Sequence, residues 1–104
     1  MQRQLNLDRV AVDGFVVRRR SATLRFGPGD RPGTRRSPWW AYLACDQIPG
    51  SYSVGRPILL DATVVSGRQI HADARIVERD DDDFGTTLIL VGVSPISDDV
   101  LRTP

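Results

Sequence analysis

Residues 57–93 read PILLDATVVSGRQIHADARIVERDDDDFGTTLILVGV, and this stretch decides the fold. Within it Ile70, Ala72, Ala74 and Ile76 alternate with His71, Asp73 and Arg75. A period of two places the first set on one face and the second on the other, the pattern of a strand with one buried side. Upstream, residues 57–65 form an apolar, β-branched run that ends at Ser66-Gly67, a two-residue link suited to a tight hairpin. Downstream, Asp80-Asp81-Asp82-Asp83-Phe84-Gly85 predicts a turn into a third strand over residues 86–93. The stretch is therefore a three-strand antiparallel meander with one continuous apolar face.

Further strands lie toward the N-terminus. Residues 39–48 (WWAYLACDQI) predict a strand closed by Pro49-Gly50, and residues 9–17 (RVAVDGFVV) and 22–26 (ATLRF) predict two shorter ones around Arg18-Arg19-Arg20-Ser21. Between them, residues 27–38 (GPGDRPGTRRSP) hold three prolines and three glycines, which rules out a helix or a central strand and predicts a long loop. Residues 1–8 read as an N-terminal arm, and residues 97–101 (SDDVL) as one helical turn with Ser97 at its N-cap. The expectation is an all-β single domain spanning residues 1–104. Its architecture is a small six-stranded antiparallel barrel or a compact sandwich, with a short C-terminal helical turn.

Composition narrows the function classes. The chain has 104 residues, is 40% hydrophobic, and contains no apolar run long enough for a membrane span. Its first residues lack the apolar core of a secretory signal, so a cytoplasmic protein is expected. The single cysteine, Cys45, excludes an intrachain disulfide. All 14 basic residues are Arg, and 12 of the 13 acids are Asp. Residues 1–40 carry a net charge of +6 and residues 41–104 a net charge of −5, an asymmetry that suits association between copies.

No catalytic motif stands out. His71, the single histidine, lies in the polar register of its strand with no nucleophile motif nearby, and Cys45 sits mid-strand as a small apolar residue. Clustered carboxylates at Asp80–Asp83 suggest a hard cation, but adjacent acids lack the alternating spacing of a calcium loop, so a solvated turn is expected and no metal or cofactor. Arg18-Arg19-Arg20 with Arg25, and Arg31, Arg35 and Arg36 ahead of Trp39, Trp40 and Tyr42, combine guanidinium forks with aromatic faces, the chemistry of a nucleotide or single-stranded nucleic-acid ligand. A net charge of only +1 argues against nucleic acid.

Residues 42–101 resemble in rhythm the PilZ family of six-stranded barrels that bind cyclic di-GMP. The likeness lies in Gly55-Arg56-Pro57-Ile58-Leu59-Leu60-Asp61 entering a strand, in Ala74-Arg75-Ile76-Val77, and in the last apolar strand. That resemblance implies phosphate contacts by Arg19, Arg20 and Arg25, although none of Arg18 to Arg20 stands four places before Arg25, and the segment Asp46 to Gly50 lacks the family's Ser. The same residues also resemble the small β-barrels of phage tail and neck assemblies, which implies a virion-type subunit working through its neighbours. The expectation that uses most of the sequence is a non-catalytic structural or assembly protein, associating with itself or with another subunit. Its interaction residues would be Arg31, Arg35, Arg36, Trp39 and Trp40, with Asp80, Asp81, Asp82 and Asp83 as the acidic counterpart. A cyclic-dinucleotide sensor and a single-strand binder remain the alternatives.

Overall fold

A computed structural model of the chain describes residues 3–26, 39–65 and 67–93. Seven strands follow in order: β1 (Arg3–Val12), β2 (Phe15–Val16), β3 (Arg19–Phe26), β4 (Trp39–Cys45), β5 (Pro57–Val64), β6 (Gln69–Asp82) and β7 (Gly85–Gly92). Six of them close into an antiparallel barrel, β1-β3-β4-β7-β6-β5 and back to β1, while β2 hangs from the end of β1 as an extra short strand. No helix occurs among the described residues, so none there is long and apolar enough to cross a membrane. The barrel alternative of the sequence reading holds over the sandwich. The helical turn expected at residues 97–101 and the loop at residues 27–38 lie outside the described residues.

Closure falls to β1, which serves two neighbours in succession. Arg3 to Asn6 pair with Phe26 to Thr23 of β3. The register then shifts between Leu7 and Arg9, and the rest of the strand pairs with Val64 to Leu60 of β5. A bulge of this kind turns a strand sharply, which is what passing from one sheet neighbour to another requires. Residues 3–8 are therefore barrel wall, and the expected arm is corrected at those positions.

The segment read as one strand over residues 9–17 is broken by Asp13-Gly14, both at positive φ (53° and 80°), with Val12 opposite Phe15. This is the two-residue turn that Asp-Gly favours, because its twist matches that of the strands it joins. Likewise the expected turn at residues 80–85 is shorter than read: β6 runs on through Asp82, and only Asp83 and Phe84 form the link to Gly85. The strand read over residues 39–48 ends at Cys45.

The period-two reading of β6 is observed directly. Ile70, Ala72, Ala74 and Ile76 are buried, and His71, Asp73 and Arg75 are exposed. With Leu7, Val10, Leu24, Leu43, Leu60, Leu88, Leu90 and Trp39 they fill the barrel, as the inward residues of a six-stranded closure must. Trp39 is accommodated because β7 ends in glycine: a Cβ on Gly92 would stand 2.0 Å from the indole.

Candidate functional sites

Three places on the barrel carry more than packing. The first is at one end, where β6 changes face. Ile76 pairs with Leu90 and Glu78 with Ile89, so Val77 is an extra residue in the ladder. Inserting one residue reverses the in-out parity of everything after it. Arg79, which strict alternation from Ile76 would point to solvent, is turned inward, and its side chain is only 14% exposed. Its guanidinium donates to the carbonyls of Ile48 (2.7 Å), Pro49 (2.8 Å) and Tyr52 (2.8 Å), and to both oxygens of Asp81 at 3.0 Å. Asp81 also accepts the Thr86 hydroxyl at 2.7 Å, and that hydroxyl accepts the Ile48 amide at 3.3 Å. The Arg79 and Thr86 hydrogen bonds hold the Asp81 carboxyl below its ordinary range. The network clamps the β4–β5 connection onto the barrel.

This arrangement divides the acidic run. Asp81 serves the clamp, and Asp82 accepts the amides of Phe84 (2.7 Å) and Gly85 (3.0 Å), shaping the hairpin. Asp80 and Asp83 are exposed, with no partner among the described residues. No group of three metal-ligating side chains converges among the described residues. The charge halves also interleave in part: Arg18 stands 3.9 Å from Asp46, and the Arg20 guanidinium lies 6.0 Å from the Phe84 ring centroid at the acidic tip. Cys45 is wholly buried; burial, with a smaller push from Asp46 opposed by Arg20, raises its thiol to about 11.

The second place is the outer wall of β4 and β7. Trp40 faces Val91 and Tyr42 faces Ile89 across the ladder, giving an outward apolar stripe. Tyr42 is 43% exposed, and Trp40, Ile89 and Val91 are half-buried. Arg25, Trp40, Ala41, Tyr42 and Ile89 line a cleft of about 250 Å³ there. Beside Ile89 a second cleft of about 300 Å³ is lined in part by Val54 and Val77, both exposed. Alternation along β4 puts the two tryptophans on opposite faces: Trp39 is core, which removes it from the expected interaction residues, and Trp40 is wall. Arg31, Arg35 and Arg36 lie outside the described residues. Arg20 and Arg25 stand at opposite ends of β3, about 17 Å apart at the rise of a strand, and do not converge on one phosphate.

The third place lies on the opposite side of the barrel. A groove of about 490 Å³ runs over β1, β5 and β6, lined by Arg9, Asp61, Thr63, Gln69 and His71 and walled by Gly14 and Val16 of the β1–β2 hairpin. Sequence reasoning missed this groove and the Arg79 clamp. The legible signal for the groove was the Asp13-Gly14 turn, whose hairpin raises its wall.

The fold and these surfaces define a closed six-stranded β-barrel with one apolar and one polar outer wall. Against protein-family models, curated proteins and solved structures, the chain finds no match.

Proposed function

We propose that this barrel is a non-catalytic association subunit, the assembly role expected from its sequence, and that it docks through the outer wall of β4 and β7. The observation that carries this reading is the outward apolar stripe of Trp40, Tyr42, Ile89 and Val91, covered by none of the described residues and extended by Val54 and Val77. Water meets apolar side chains there on adjacent strands of a small domain, a grouping that marks interaction surfaces more often than isolated exposed residues do. Tyrosine and tryptophan are also the side chains on which binding energy concentrates at interfaces. The partner proposed is a second copy of this chain, in keeping with the charge asymmetry of its sequence.

Sedimentation velocity across a range of concentrations tests the proposal. The wild type is expected to sediment as a dimer or larger species. Tyr42→Glu, at an exposed position, is expected to keep the circular dichroism of the fold while weakening association about thirtyfold, the loss of one anchor worth about 2 kcal/mol. A wild type that stays at 11.5 kDa at every concentration would sink the self-association reading.

A further inference from the structure

The polar groove has the makings of a ligand site, and its geometry follows from register. Arg9 lies opposite Thr63, which lies opposite Gln69, so these three form one cross-strand row on the outside of β1, β5 and β6. The next row is Ala11, Asp61 and His71. Ala11 and Gly14 supply no bulk, and the hairpin carrying Val16 rises beside them, which leaves the volume of about 490 Å³. That is within the range of about 300–1,000 Å³ typical of small-molecule sites. Two strand spacings and one row separate the backbones of Arg9 and His71, about 12 Å in all, so their side chains can close on a small ligand from two sides.

The polar lining offers donors from each of three strands. Asp61 accepts a hydrogen bond from His71 at Nδ1. That contact sets the orientation of the imidazole and leaves Nε2 on the side away from Asp61. Arg9 has no hydrogen-bond or ionic partner among the described residues. Its guanidinium is a planar fork of donors matched to phosphate oxygens. Gln69 and Thr63 add an amide and a hydroxyl in the same row. Asp61 holds the imidazole from its far side, and Arg9, Thr63 and Gln69 present donors from β1, β5 and β6. Donors reaching the groove from β1, β5 and β6 suit the several oxygens of a phosphate better than the two of a carboxylate. Ala11, Ala62 and Val16 offer an apolar flank for an organic body.

We infer that this groove is a binding site for a small organic phosphate, held by Arg9 with Thr63 and Gln69 and flanked by His71, whose imidazole Asp61 orients. The site is independent of the association wall, since β1 and β5 lie opposite β4 and β7 around the six-stranded closure. Dimers formed through that wall leave it open.

Because the chain has one histidine, its ring signals in an NMR spectrum report on this groove alone. Phenyl phosphate, inorganic phosphate and benzoate are titrated in turn into the full-length protein at millimolar concentration. Phenyl phosphate is expected to shift the His71 ring signals saturably and to bind more tightly than inorganic phosphate, which lacks the body that Val16 and Ala11 would cover. Arg9→Gln, at an exposed position, is expected to weaken it at least about tenfold, the loss of a charged hydrogen-bonding partner. Arg25→Gln on the far wall is expected to leave phenyl phosphate binding unchanged. No shift with any of the three, unchanged binding in Arg9→Gln, or benzoate binding as tightly as phenyl phosphate would each overturn the assignment.

Discussion

Thr86→Val removes one hydroxyl from the end of the barrel and replaces it with a methyl of nearly the same size. Thr86 is the buried polar side chain among the described residues, with no surface accessible to water. Its hydroxyl accepts the Ile48 amide at 3.3 Å and donates to Asp81 at 2.7 Å. Valine fills the same volume, so no cavity opens, and the change isolates the hydrogen bonds. The Ile48 amide then has no acceptor in a place water does not reach, a penalty of about 1–3 kcal/mol. Its 3.3 Å length is near the long limit, which favours the middle of that range, about 2 kcal/mol. At this chain length such a loss lowers the melting temperature by about 8 °C. Urea unfolding followed by circular dichroism gives the free energy, and hydrogen exchange at the Ile48 amide reports whether the loss is local. A change below about 0.5 kcal/mol, the size of an ordinary surface substitution, would refute the reasoning. So would an Ile48 amide that exchanges as slowly in the variant as in the wild type.

The same barrel has other consequences. The Asp81 carboxyl titrates below its ordinary value in the folded chain, so its contribution is present above the unfolded carboxylate range, near pH 3.9, and is lost as pH falls through the lower folded value. Unfolding of wild type and Asp81→Asn should accordingly differ at pH 7 and converge under strong acid; a gap independent of pH would contradict this. Gly92→Ala places a Cβ within 2.0 Å of the Trp39 indole, so the ring must shift. Overpacking of this kind should cost about 1–3 kcal/mol and alter the near-ultraviolet dichroism of the tryptophans, whereas an unchanged spectrum at full stability would be the failing result. Cys45, buried and with its thiol raised to about 11, should resist a thiol reagent at pH 8 until urea opens the barrel. Rapid labelling of the native protein would show that β4 opens without global unfolding.

How far the sequence could be read depends on how local each feature is. The meander of β5, β6 and β7 was legible because each strand pairs with the next in the chain through a two- to four-residue link, and its period-two pattern is written in consecutive side chains. The Asp13-Gly14 turn was equally local and was passed over, since the apolar residues on both sides of it read as one strand. Arg79 illustrates the opposite case. Its neighbours in sequence are acids, and the natural reading is a solvated run leading into a turn. The extra residue at Val77 turns it inward, and the bulge exists only in relation to β7, against which the ladder is counted.

By itself, the sequence determined an all-β chain, the buried face of β6 and a single cysteine in an apolar strand. These rest on side-chain period and composition, which need no partner to be read. Tertiary structure decided the closure of β1 onto both β3 and β5, the pairing of β4 with β7, and the placing of Arg9 and His71 along one groove. Each joins residues far apart in the chain, and their register is fixed by bulges and by the demand that a small barrel leave no edge exposed. The two outer walls follow from that closure, because pairing places Trp40 beside Val91 on one side and Arg9 two strands from His71 on the other.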